Sequence, residues 1–258
     1  MRGQETILVV NDDGPGSPGL RALLRHVRDL GQVLAIIPEE GVGGRGKSIT
    51  LFKPIRAREA GEGFYIISGT PADAVIIALE LLKPLKPALL ISGINIGPNI
   101  GLEDFFHSGT LGAAIQAVLH QIPAIAISYA IGEGLPRPGE GQMRADLDTA
   151  ARLAMRIASA VLAHGMPEGI DVLSINVPVG ADMHKITITE PLRSPFWAAS
   201  RSGDSLIIRP WPEKMPSGPE GTDIWAILNG FISITPIGLS LRHDISSLET
   251  FLKKAGIF

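Results

Sequence analysis

The sequence predicts an α/β protein, a Rossmann-like three-layer α/β/α sandwich with a mostly parallel sheet and a C-terminal β-hairpin extension. Three observations predict it. Unbroken runs of β-branched and aliphatic residues alternate with stretches of helical spacing, as they do where parallel strands are buried on both faces. Polar, glycine-rich segments follow several of those runs. From about Lys185 the alternation gives way to short β-like runs between Gly/Pro loops. The 258 residues are read as a single domain, residues 1–258, with a core over about 1–184 and an oligomerisation extension over about 185–258.

The elements are justified in chain order. Thr6–Asn11 is an apolar run ending in Asn, and a turn-rich Asp12–Gly16 follows. Ser17 is placed to cap a helix with Pro18 at its first position, and Leu20, Leu23, Leu24, Val27 and Leu30 keep helical spacing up to Gly31. Val33–Ile37 is a second buried strand, completing a βαβ unit whose crossover should be right-handed. Glu39–Lys47 is glycine-rich and expected to move, and Ser48–Ser68 reads as a hairpin excursion. A helix starts at Pro71 behind Thr70 and runs through Leu82, and Pro84 and Pro87 bracket a linker. Ala88–Ser92 is a strand followed by a Gly93–Gly101 loop. Thr110–Gln121 is an apolar helix, Ala124–Ser128 a strand, Gly132–Gly141 a loop, Met143–His164 a long helix and Val172–Val177 a strand. In the tail, residues 186–189, 206–209 and 225–228 read as β-like and antiparallel, and Phe231–Pro236 as a β-prone run outside the core alternation. A last helix falls near Ser246–Lys254.

Composition excludes several functional classes. No cysteine is present, so a disulfide framework, thiolate zinc and a cysteine nucleophile are excluded. The formal net charge of −3 offers no global basic field for long nucleic acid, although a small anion can still find a local site. No apolar run approaches the length of a membrane span, and the N-terminus does not read as a secretory signal, which places the expectation in the cytoplasm. No nucleophile elbow, Walker A or dinucleotide-binding glycine fingerprint is found.

Ligands in open α/β sheets bind beyond the carboxyl ends of the strands, and Asn11–Asp13, the Glu39–Lys47 loop and Gly93–Gly101 fall there. Asp12 and Asp13 would repel one another unless a cation neutralises them, and hard oxygen donors without His or Cys suit magnesium or manganese. Asn95 could add an amide oxygen from a neighbouring strand end. The competing reading is that the two aspartates only turn the chain. Asn95, Asn99 and their flanking glycines would let backbone N–H groups approach a phosphate, or would form an ordinary turn. Ser108, Gly109 and Thr110 open an apolar helix, where an anion site and simple N-capping both fit.

Asn11-Asp12-Asp13-Gly14 with Pro18-Gly19, Ser68-Gly69-Thr70-Pro71-Ala72-Asp73, and Ser92–Asn99 together resemble the motifs of the SurE survival-protein family. His107-Ser108-Gly109-Thr110, Ser174–Pro178 and Phe231–Pro236 extend the resemblance over nearly the whole chain in order. The resemblance implies a hydrolase of nucleoside 5′- and 3′-monophosphates with one divalent cation per subunit, Mg²⁺ or Mn²⁺. It also implies homodimers or homotetramers that exchange C-terminal elements. By motif match, Asp12, Asp13 and Asn95 are the metal ligands and catalytic residues. The family places a serine ligand in the loop after the second strand, and counting from Pro38 puts Gly43 there. The shell would then be completed by water, a backbone carbonyl or a nearby Glu. The expected chemistry is metal-assisted hydrolysis, with Asn99 and the Ser108–Thr110 helix start holding phosphate oxygens. Two alternatives stand beside it, a non-catalytic nucleotide-binding module of the same fold and, with less support, a dinucleotide-dependent oxidoreductase.

Overall fold

A computed structural model describes residues 5–132, 134–195, 197–210, 216–240 and 245–257. β1 (Thr6–Val10) leads into α1 (Pro18–Val27), whose Ser17 cap accepts the Leu20 N–H, and then into β2 (Gln32–Pro38). β3 (Ala57–Gly61) and β4 (Phe64–Ile67) form the expected hairpin. α2 (Pro71–Leu81) starts in a reciprocal capping box, Thr70 with Asp73. β5 (Leu89–Ile96), α3 (Leu102–His107), α4 (Gly109–Leu119), β6 (Ala124–Tyr129), α5 (Glu140–His164) and β7 (Val172–Val177) complete the alternation. The tail holds β8 (Ile186–Ile188), β9 (Trp197–Ser202), β10 (Ser205–Pro210), α6 (Asp223–Leu228), β11 (Ile232–Ile237) and α7 (Ile245–Lys254).

Among the described residues, nine strands form one sheet in the order β3-β4-β2-β1-β5-β6-β7-β11-β8, parallel from β4 through β7. β1 sits centrally, with β2 on one side and β5 on the other, so the chain changes direction across the sheet between β1 and β5. Alternate strand residues feed two cores. Ile7, Val9, Ile91 and Ile127 pack with α1 and α5 on one face. Leu8, Val10, Leu90 and Ala126 pack with α2 and α4 on the other. The three-layer sandwich follows from strands that are apolar on both faces.

Several expectations need correction. β5 runs on through Asn95 to Ile96, with a register shift against β6 between Ser92 and Asn95, so Asn95 belongs to an irregular strand end rather than a loop. The segment after Gly101, for which no element was expected, forms the short α3, whose six residues are too few to show a helical period. Residues 225–228 are helical, because Thr222 caps α6 by accepting the Trp225 N–H and the turn buries Ile224, Ala226 and Ile227. Phe231–Pro236 does not stand outside the core. β11 pairs antiparallel with β7 and buries Ile232, Ser233 and Thr235, and β8 then adds parallel to β11. Of the tail strands, β9 and β10 form the separate antiparallel hairpin.

Candidate active site

The carboxyl ends of β1 and β5 are stitched together by side chains. Asn11 donates through Nδ2 to the Ile94 carbonyl at 3.1 Å, and its Oδ1 accepts the Asp13 N–H at 2.8 Å. Asp13 Oδ2 accepts the Ile96 N–H at 2.9 Å and the Ser17 hydroxyl at 3.4 Å. β1, β5 and the start of α1 therefore fix one carboxylate. The other, Asp12, points to the start of α4. Its Oδ1 accepts the Thr110 hydroxyl at 2.7 Å, and it is 5% exposed. A Cβ on Gly109 would come within 2.7 Å of Asp12 Oδ2, so a glycine is needed for this approach.

The electrostatics are those of an unsatisfied anionic pair. Burial, with Asp13 adding to it, pushes the Asp12 carboxyl up to about 6, although the Thr110 hydrogen bonds oppose the shift. Burial also raises Asp13, against the bonds from Ile96 and Ser17. Neither carboxylate has a Lys or Arg within ion-pair distance among the described residues. Two adjacent carboxylates, Asp12 buried and Asp13 half-buried, without a cationic side chain fit a divalent cation. Asn95 Nδ2 donates to the Gly97 carbonyl at 2.9 Å, its Oδ1 accepts no hydrogen bond among the described residues, and it directly precedes the Ile96 N–H that binds Asp13. No group of three or more His, Cys, Asp or Glu suited to a metal occurs among the described residues.

The remaining expected residues divide. Ser108 caps α4 by accepting the Leu111 N–H at 3.1 Å, and its hydroxyl is engaged there. The Gly109 N–H has no backbone partner among the described residues and opens the helix beside Asp12. Asn99 belongs to a different network. Its Nδ2 donates to Ser128 Oγ at 2.7 Å, and its backbone exchanges two hydrogen bonds with the Asn176 side chain. Gly43 is exposed, with nothing within 4 Å of a Cβ placed on it and an ordinary backbone conformation. The loop around it is anchored rather than loose. The Val42 N–H donates to the Asp12 carbonyl at 2.9 Å and the Gly46 N–H to the His107 carbonyl at 2.7 Å.

Two buried carboxylates near the site were not legible in the sequence. Asp223 on α6 accepts the N–H groups of Gly101, Leu192 and Ile224 and so ties the end of the β5 loop to the tail. Asp104 on α3 is 6% exposed, and its carboxyl is pushed up to about 7 by burial, with Asp223, Asp12 and Glu103 adding to the shift. Its folded value lies above the unfolded one, so the folded chain binds the extra proton. Its contribution to stability is full below about 4 and is lost as pH rises to about 7. Asp104→Asn keeps the acceptor for the Ile100 N–H. It should raise the metal-free melting temperature at pH 8 by a few degrees and flatten the pH 4–7 slope, read by scanning calorimetry. An unchanged slope would contradict this account.

The chain is similar to known proteins in sequence and in fold. The profile described as Survival protein SurE matches residues 7–197. A protein of Methanothrix thermoacetophila called 5′-nucleotidase SurE is 40% identical over 90% of this chain and 91% of its own length. One of the same description from Thermofilum pendens is 36% identical over 96% of each chain. The crystal structure of the SurE protein from Aquifex aeolicus superposes with a TM-score of 0.80 at 32% identity, covering 97% of this chain and 99% of that one. With the profile spanning most of the core sheet and relatives matched nearly end to end, the chain belongs to the SurE family.

Proposed function

We propose that this chain is a divalent-cation-dependent phosphomonoesterase that releases phosphate from nucleoside 5′-monophosphates and, at the same site, from 3′-monophosphates. The observation that carries the reading is the Asp12–Asp13 pair, set where the chain changes direction across the sheet and facing a glycine-opened helix start. Several relatives bear the name 5′-nucleotidase SurE, which supports the substrate class. Asp12, Asp13 and Asn95 would hold one cation, magnesium or manganese, which when bound supplies Lewis acidity toward a phosphoryl oxygen. Thr110 orients Asp12 through its hydroxyl, and Ser17 and the Ile96 N–H orient Asp13. The Gly109 N–H, at the positive end of α4, is placed to receive a phosphate oxygen as charge redistributes. Asn99 and Asn176 brace the β5 loop, and the second Nδ2 hydrogen of Asn99 remains for substrate.

Phosphate release from a panel of nucleoside 5′- and 3′-monophosphates, with and without magnesium or manganese, tests the reading. Turnover should require the cation, and turnover undiminished by a chelator would overturn it. The same titration tests the loop. Gly43→Ser adds a hydroxyl in open space without backbone strain. If this loop approaches the cation, the variant should bind it about tenfold more tightly, roughly 1–2 kcal/mol, with little change in maximal rate. Unchanged metal dependence would place the loop away from the cation.

The protein works, on the same reading, as a homodimer or homotetramer. Leu206 and Ile208 on β10 and Ile245, Leu248 and Phe251 on α7 are exposed apolar residues on elements outside the main sheet. Light scattering at micromolar concentration should give two or four times the 27.3 kDa chain mass. An active monomer would refute it. Among the described residues no helix is long and apolar enough to cross a membrane.

A further inference from the structure

A cavity of about 590 Å³ lies beside the candidate phosphate site, bounded by Gly44, Glu103, His107, Trp197 and Ile208. Its position follows from contacts already described. His107 immediately precedes the Ser108 cap of α4, two residues before Gly109. The Gly46 N–H is bonded to the His107 carbonyl, and the loop bearing Gly44 starts at the Val42–Asp12 hydrogen bond. The same loop and the same α3–α4 junction therefore border both the Asp12 carboxylate and this cavity. A ligand with its phosphate at the Gly109 N–H would extend past His107 into it.

The lining is suited to a flat heterocycle. Trp197, two alanines and Ile208 give an apolar wall, while Glu103 and His107 add polar groups. Trp197 is held in place, because its backbone N–H donates to Glu103 Oε2 at 3.3 Å and its side chain packs against the cluster of Ile100, Ala130, Ile224 and Ile227. A pre-positioned indole loses little freedom when a base stacks on it. The His107 imidazole is exposed and makes no hydrogen bond among the described residues, so it can meet the polar edge of a base. The other large concavity, about 470 Å³, follows α4 down to Leu119 between apolar side chains and leads away from the Asp12 end of that helix.

We propose that the cavity between α3, β9 and the Gly43–Arg45 loop is the nucleobase subsite, with Trp197 as the stacking platform and His107 as the edge contact. The inference rests on the nucleotidase reading. It assigns to Trp197 and His107 the preference for nucleotides over other phosphomonoesters, not the phosphate chemistry.

The test compares kcat/KM for a nucleoside 5′-monophosphate with that for ribose 5-phosphate, which has the same sugar phosphate and no base. Wild type should prefer the nucleotide. Trp197→Leu should reduce that preference about tenfold or more, mainly through the nucleotide KM, on the scale of losing one base–aromatic stack. Trp197→Phe should restore much of it. His107→Ala, on an exposed side chain, should reduce the preference several-fold, and it carries the test if the Trp197 variants fail to fold. A preference unchanged in His107→Ala and in every folded Trp197 variant overturns the subsite. Equal hydrolysis of both substrates by wild type overturns the subsite while leaving the phosphatase reading intact. Hydrolysis of neither overturns the nucleotidase reading and the subsite with it.

Discussion

Asp12→Asn and Asp13→Asn should each lower phosphate release by roughly 10²–10³-fold or more, the scale of losing one preorganised electrostatic group at a reaction centre. The fold should survive, because Asn keeps an oxygen where Asp12 accepts the Thr110 hydroxyl and where Asp13 accepts the Ile96 N–H. Asp12→Asn should in addition make the metal-free protein more stable at pH 8. The Asp12 carboxyl titrates near 6 in the fold, above its ordinary value, so its ionised form costs stability as pH rises through that range. A charge held at the expense of stability is the pattern of a functional site, and opposite movements of activity and melting temperature would be its signature. Near-normal turnover in both variants at saturating magnesium or manganese would remove these residues from the site.

The largest structural effect is expected at Gly19. A Cβ there would lie 2.0 Å from the Ile94 carbonyl oxygen, and that carbonyl is also held by Asn11 at 3.1 Å. Neither the oxygen nor α1 can yield without disturbing the β1–β5 junction. Gly19→Ala should therefore cost about 3 kcal/mol, at the upper end of overpacking penalties, and lower the melting temperature by roughly 10 °C. It should weaken cation binding too, since α1 carries the Ser17 hydroxyl to Asp13. Gly16→Ala is the control, because a Cβ there meets nothing within 4 Å. Similar melting temperatures for the two variants would show that α1 does not rest on β5 as described.

The parts of the fold visible in the sequence are those specified locally. β1, β2, β6 and β7 are apolar runs of strand length, and Ser17-Pro18 and Thr70-Pro71 announce helix starts that the structure contains. What escaped was decided by distant partners. Phe231–Pro236 is visibly β-prone, yet only the free edge of β7 makes it a core strand. Residues 225–228 are apolar enough for either state, and the Thr222 cap settles them as helix. At the site, Asp12 and Asp13 were legible from their place after β1, whereas the contact of Asp12 with Thr110 at the start of α4 joins residues 98 apart and no local pattern announces it. The burial of Asp104 and Asp223 could not be read, because both sit in short segments without periodicity whose surroundings come from other parts of the chain. Gly43 was singled out only by the family resemblance, and it makes no contact that separates it from any other exposed loop glycine.

The anchoring of the glycine loop bears on where this chain can tolerate changes of length. The Val42 and Gly46 hydrogen bonds fasten the loop to Asp12 at one end and to His107 at the other. The second fastening is close-fitting, since a Cβ on Gly46 would meet the Phe106 carbonyl oxygen at 2.5 Å and one on Gly112 the Gly46 carbonyl oxygen at 2.5 Å. Between the fastenings, Gly43, Gly44 and Arg45 are exposed. Residues inserted among these three would bulge into solvent and leave both attachments in register. Removing one would shorten the strap and pull the Asp12 backbone towards α3, displacing the carboxylate from Thr110. The stretch is elastic to insertion and rigid to deletion, so divergence in this segment should appear as longer loops rather than shorter ones.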